Sequence, residues 1–290
     1  MRTATRLVVL NSKKYALDLI FAVVAAAYSL RRLYASYTGA AIRVRRSSDN
    51  AERDIGFIGE RLDVLALLVF VGNGSGFVTT WYDQSGNGRH ATQTTAGSQP
   101  QIVSNGAIIT EGGRPLISFD GLTQFLNLPV SGAPTQNSSL IGVFQTTNVS
   151  YTLAGFINIE GVVINDPSIR VGVGTGGSQT FYRAYWNGAY VSVDNPAVNF
   201  QNLSVFNVSF VTSGGVITTT VRVNGSNALS ASAAGTWTGA NEFTIGRFKR
   251  INAMKAGIAQ ELISIQSDLS TVDRQTLERN QGIYYNISVS

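Results

Sequence analysis

The chain of 290 residues contains no cysteine, so disulfide frameworks, thiolate metal sites and cysteine nucleophiles are excluded. It contains one histidine, His90, which rules out histidine-clustered metal centres and makes any Ser-His-Asp arrangement depend on a single residue. Charged residues are also scarce, at 13% of the chain against the usual quarter. That is too few for a disordered polyelectrolyte, and the 44% hydrophobic content is enough for a full core. The apolar run over residues 19–30 falls well short of the roughly 20 residues that cross a bilayer. Glycine, at 30 residues, is plentiful but follows no collagen-like period.

The formal net charge is +5. Its placement argues against nucleic acid: residues 1–60 hold ten Lys/Arg against five Asp/Glu, whereas residues 61–245 hold six against eight. The basic excess therefore sits near the ends. In IRVRR (42–46), alternation places Arg43 and Arg45 on one strand face, which reads as a solvated face or a subunit contact. With Arg6, Lys13 and Lys14 these residues form a candidate attachment surface, and residues 1–24 are expected to act as an anchoring segment ahead of a domain at 25–290.

The apolar run predicts a buried helix, because Leu17, Ile20, Phe21, Val24 and Tyr28 follow 3- and 4-residue spacing and Arg31 and Arg32 suit a helix C-terminus. The long polar lead-in argues against a cleaved signal peptide. A second short helix is expected at 62–71, stopped by Gly72-Asn73-Gly74. From Gly76 to about Gln266 the chain reads as strands. Alternation runs through 77–83, 116–121, 139–147, 168–174, 205–211, 217–225, 242–247 and 258–265, separated by clusters such as SGNG and TEGG. Ser270 and Asp273 have capping-box spacing ahead of a closing helix at 271–281, with Gly282 at its end. The expected fold is all-β: an antiparallel sandwich with a short N-terminal helix and a short C-terminal capping helix.

Two stretches carry a more specific signal, AAYSLRRLYASYTGAAIRVRRSSDN (26–50) and VTTWYDQSGNGRHATQ (78–93). They resemble the N-terminal half of the α-L-arabinofuranosidase B catalytic domain, and similar segments occur in structural proteins of tailed bacteriophages. The stretch GRPLISFDGLTQFLNL (113–128), with IAQELISIQ and the closing helix, is similar to the concanavalin A-like (laminin-G-like) jelly roll, whose last strand often carries Ala-x-Glu-Leu.

In that family the resemblance implies a glutamate nucleophile in a Val-Asp-Met-Glu-Asn strand and an aspartate acid/base in a Gly-Gly-Asp-Asn loop. A retaining glycosidase needs its two carboxylates about 5–5.5 Å apart. Sought at 181–196, the first motif meets only Asp194, and the loop IGRFKRINAMKAG (245–257) is basic throughout. Asp83, Glu111, Asp120, Glu160 and Asp166 complete the pool of carboxylates considered, and none stands in an evident catalytic motif. The expectation is a non-enzymatic structural protein of a tailed-phage virion, either a capsid decoration or a tail or fibre component at the particle surface. Its partners would be other virion proteins, further copies of itself and host glycans. No membrane, nucleic acid, cofactor or metal is expected, since Asp166 with Asn165 and Asp194 with Asn195 are too few oxygens for calcium. The alternatives are a glycoside hydrolase of arabinofuranosidase type and a secreted bacterial lectin or adhesin. Tyr182, Tyr185 and Trp186, with Asp83 and His90, form the candidate glycan site, because sugar sites place aromatic rings beside polar groups.

Overall fold

The computed structural model describes residues 15–146, 156–160, 168–171, 181–186, 189–194, 202–234, 239–248, 253–254 and 256–290. The segments 168–171, 181–186 and 189–194 enter through their backbone pairing alone. Arg6, Lys13 and Lys14 lie outside the described residues.

Two antiparallel sheets pack face to face. In the front sheet the neighbours run Glu52–Ile55, Ile42–Arg46, Gly76–Trp81, Ala91–Thr92, Leu126–Asn127, Glu242–Ile245, Ile157–Glu160, Ser168–Val171, Phe181–Trp186 and Ala189–Asp194. In the back sheet they run Ser226–Ala234, Val216–Val223, Ser204–Ser213, Ser138–Thr146 and Ala256–Ile265. Val24–Ser29 and Ile117–Asp120 share the far edge of that last strand, end to end. Gln101–Ser104 joins the two sheets, pairing with Gly76–Trp81 and with Ile117–Asp120.

The main core fills the space between the sheets, with Trp81, Tyr28, Phe144, Phe206 and Phe243 fully or almost fully buried. Within the back sheet Ser138–Thr146 and Ala256–Ile265 are buried on both faces, so their apolar run is nearly continuous. In Ser138–Thr146, Leu140 and Phe144 point into the sandwich. Ile141 and Val143 point outward, beneath a second layer. That layer consists of the one-turn 3₁₀ helix Ala16–Leu19 and the C-terminal helix, which place Leu17, Leu277 and Tyr285 on the sheet. Gly142 is required at this crossing, because a Cβ would stand 2.6 Å from the Glu261 carbonyl and 2.7 Å from the Phe206 ring.

Helix α1 (Val64–Val71) is capped by Asp63, whose carboxylate accepts the Ala66 amide at 2.9 Å. Helix α2 (Thr271–Tyr285) begins at Ser270, whose hydroxyl accepts the Asp273 amide. It runs one turn past Gly282 to an αL cap at Asn286. The helix expected across 17–28 is corrected: the chain makes the 3₁₀ turn and then the strand Val24–Ser29, buried along its whole length. A short apolar run satisfies either period, and here the extended backbone is held by the loop after Trp81, with Asp83 accepting the Ala27 amide and Asn87 donating to the Val24 and Ala25 carbonyls. Arg31 does not complement a helix end. Its guanidinium binds Glu261 through Nε at 2.8 Å and Nη2 at 3.1 Å, inside the protein.

Candidate active site

Alternation decides which residues the front sheet shows to the outside. In Ile157–Glu160 the two isoleucines enter the core and Asn158 and Glu160 face away. In Glu242–Ile245, Phe243 and Ile245 enter the core and Glu242 and Thr244 face away. The strands pair with Glu160 opposite Glu242 and Asn158 opposite Thr244. Directly opposed residues have Cβ atoms about 4.5–5.5 Å apart, so two carboxylates stand side by side on one face.

The site is sheltered, with Glu160 8% exposed and the Glu242 side chain 11% exposed. Shelter comes from the short hairpin of Arg247–Phe248 and Ala253–Met254. The Arg247 carbonyl accepts hydrogen bonds from Asn158 Nδ2 at 2.8 Å and Thr244 Oγ1 at 2.5 Å, which fixes the hairpin to both carboxylate-bearing strands. The Arg247 guanidinium lies 3.8 Å from Glu242 and 4.0 Å from the centre of the Phe125 ring. A paired carboxylate site with an oriented cation is the equipment of acid/base and nucleophilic chemistry at a glycosidic carbon. Among the described residues no group of three or more His, Asp or Glu side chains is placed to hold a metal ion.

The residues singled out in the sequence are distributed differently. Asp83 is 2% exposed, and its carboxylate accepts the amides of Ala27, Ser85 and Arg89 and the Ser85 hydroxyl at 2.8–3.0 Å. Gln84 binds the Ser29 and Arg31 carbonyls and the Leu33 amide, and Asn87 binds the Val24 and Ala25 carbonyls. The YDQSGNG stretch is thus a clamp on the Val24–Ser29 strand. His90 accepts the Asp83 amide through Nδ1 at 3.1 Å and packs edge-on against Tyr82. Arg43 binds Asp54 through two hydrogen bonds, while Arg45 reaches Gln99 and Asn50 and lies over the Phe77 ring. Backbone register aligns Glu160 with Ser168, Ser168 with Tyr185 and Tyr185 with Tyr190. Tyr182 instead pairs with Val171, in the line of Ile157, and Trp186 pairs with Ala189.

Glu242 was missed in the sequence because it opens a strand of otherwise ordinary alternation. Ile157-Asn-Ile-Glu-Gly161 has the form of Val-Asp-Met-Glu-Asn, with Glu160 at the glutamate. Gly239-Ala-Asn-Glu242 shares its first glycine with Gly-Gly-Asp-Asn and carries its acid one residue later.

Comparison with known proteins bears on the N-terminal part of the sequence and on the fold. A family described as alpha-L-arabinofuranosidase B, catalytic, matches residues 21–112. Probable α-L-arabinofuranosidase B of Aspergillus flavus and α-L-arabinofuranosidase B of Aspergillus oryzae are each 32% identical over 130 residues, covering 44% of this chain and 23% of the relative. The chain thus spans less than a quarter of the length of the curated relatives it matches. Among solved structures, an arabinofuranosidase complexed with arabinofuranosyl-α-1,2-xylobiose superposes with a TM-score of 0.65 at 17% identity, over 89% of this chain and 62% of that one. A GH54 α-L-arabinofuranosidase soaked with a cyclic sulfate inhibitor gives 0.66 at 17% identity, with the same coverage. At that identity the likeness establishes the fold. These findings overturn the expectation of a non-enzymatic virion protein at a particle surface: the matching family is a catalytic domain, and these relatives are fungal arabinofuranosidases, not virion components. Absence of an acid from residues 181–193 and 245–257 does not leave the front sheet without carboxylates, since Glu160 and Glu242 stand on paired strands of it. The chain is similar, in its N-terminal third by sequence and across most of its length by fold, to α-L-arabinofuranosidase catalytic domains.

Proposed function

We propose that the chain is a glycoside hydrolase domain of the α-L-arabinofuranosidase type, acting with retention of configuration. The observation that carries this reading is the in-register pairing of Glu160 with Glu242, which puts their Cβ atoms about 4.5–5.5 Å apart on one face, so that the two side chains can reach the carboxyl spacing a double displacement uses. Glu160, at the motif glutamate, is the nucleophile and Glu242 the acid/base. Glu160 attacks the anomeric carbon while Glu242 gives its proton to the leaving oxygen, forming a glycosyl ester on Glu160. Glu242, now a carboxylate, takes a proton from water, whose oxygen attacks the same carbon and releases Glu160. Arg247 and the Asn158 and Thr244 contacts hold Glu242 and its strand in place.

The test is release of nitrophenol from 4-nitrophenyl α-L-arabinofuranoside, with the anomer of the first-formed sugar read by NMR. Wild-type protein should release it with retention. Glu160→Gln should abolish turnover, and Glu242→Gln should recover part of it when azide replaces water as the attacking group. Absence of turnover in the wild type, or equal turnover in all three proteins, would sink the reading.

A further inference from the structure

The Asn158–Thr244 pair, two residues along the same strands from Glu160–Glu242, stands at one end of a longer polar row. From Thr244 the pairing register runs through Asn127, Thr92, Thr80 and Arg43 to Asp54, crossing from the middle of the front sheet to its edge. Each of these residues faces outward, opposite the core residues Ile245, Leu126, Ala91, Trp81, Ile42 and Ile55. With strands about 4.8 Å apart, the row covers roughly 19 Å between the strands of Thr244 and Arg43. Thr244 is buried under the Arg247 hairpin, but Thr92 and Asn127 are exposed, and Arg43 and Asp54 are 44% and 43% exposed.

A solvated sheet face is polar by default, so polarity alone identifies nothing. The far end of the row is built more tightly than solvation asks. Asp54 accepts two hydrogen bonds from Arg43, at 2.7 and 2.8 Å, and one from the Tyr82 hydroxyl at 2.8 Å. Tyr82 is further held by His90, edge to face at 4.9 Å. An aromatic ring is thereby immobilised beside a fixed fork of donors and acceptors, at little entropic cost to a ligand. The row's cation is matched by its anion, so the track presents hydrogen-bonding groups without net charge. That suits a neutral polyhydroxyl chain and suits neither nucleic acid nor an acidic polymer.

We propose that this exposed row, from Asn127 and Thr92 to the Arg43–Asp54–Tyr82 cluster, is a binding track for the main chain of a neutral polysaccharide whose side group enters the carboxylate site. The ligand class rests on the glycosidase reading, and the test separates the two. Native-gel retardation in soluble arabinoxylan and in linear arabinan measures binding without turnover, and kinetics on the same polymers and on 4-nitrophenyl α-L-arabinofuranoside measure hydrolysis. Wild type and Glu160→Gln should both be retarded. The double variant Asp54→Ala/Tyr82→Ala should lose at least tenfold in affinity and in the ratio of kcat/KM on polymer to that on the aryl glycoside. A folding defect would lower both substrates alike and leave that ratio unmoved. Should the double variant not fold, Thr92→Ala/Asn127→Ala, two exposed truncations, should lower the same ratio several-fold. If wild type and Glu160→Gln are not retarded by either polymer, or if the variants bind as wild type does, the track is refuted. Retardation that depends on Asp54 and Tyr82 in a protein without turnover would keep the track and remove the glycosidase.

Discussion

Glu160 and Glu261 both sit in interior strands, 8% and 1% exposed, yet their surroundings have little in common. Glu261 lies under α2 and accepts hydrogen bonds from Arg31, Ser29, Gln281 and Tyr285. Burial pushes its carboxyl up, but the Arg31 charge and these hydrogen bonds outweigh burial and the net shift is downward. The pair ties the Val24–Ser29 segment, the Ala256–Ile265 strand and α2 to one point. Glu160, on the other sheet, stands opposite another glutamate. Two carboxyls placed opposite one another make it costly to ionise both, which is the condition under which one serves as base and the other as acid. One acid is held beneath α2 by Arg31, Ser29, Gln281 and Tyr285, and the other stands opposite a second glutamate on the outer face of the other sheet, which is the contrast the proposed chemistry predicts.

The contrast breaks first on activity. Glu160→Gln should reduce kcat on the aryl glycoside by about 10³-fold or more, with a melting temperature close to that of wild type, since the amide keeps the shape of the side chain. Glu261→Gln should do the reverse. It leaves Arg31 without its counter-charge and should cost about 3–5 kcal/mol of stability, measured by urea unfolding, while kcat/KM of the folded fraction stays near the wild-type value. Because the folded carboxyl of Glu261 titrates below its unfolded value, its contribution is full above about pH 4.5 and is lost as pH falls through the folded value. Melting temperature should therefore fall more steeply with acid in wild type than in Glu261→Gln. A flat difference between the two would contradict the assignment.

Asp83 tests whether the most recognisable stretch of the sequence is architecture. Asp83→Ala removes the acceptor of three buried amides and should cost about 1–3 kcal/mol. Aryl-glycoside turnover by the folded protein should be retained. Loss of kcat at unchanged stability would move Asp83 to the chemistry.

Much of the sandwich was legible because its strands alternate and its turns carry glycine and asparagine. The C-terminal cap was legible in Ser270 and Asp273. The strand at Val24–Ser29 was not, since small residues buried on both faces leave no period to read. Ala-x-Glu-Leu was visible as a family feature, but its reason, a glutamate meeting Arg31 across 230 positions, belongs to the fold. The carboxylate pair was hidden for the same reason. Glu160 and Glu242 lie far apart in sequence and become neighbours only through strand pairing. The basic run after Ile245 misled because it was read without the acid that precedes it. Arg247 does not replace a carboxylate but stands 3.8 Å from one.

The smallest effect is expected at Ser270, and it sharpens the contrast by disturbing the architectural side alone. Its hydroxyl caps α2 by accepting the Asp273 amide at 3.0 Å, and α2 covers the outer face of the back sheet through Leu277 and Tyr285. Ser270→Ala should cost about 1 kcal/mol, or about 2 °C in Tm for a chain of this size. The front sheet lies across the whole core from this helix, so kcat/KM on aryl glycoside and on polymer should both match wild type at temperatures well below unfolding. A change in either would mean that the helical layer reaches the carboxylate face, and that the two glutamates are not energetically separate.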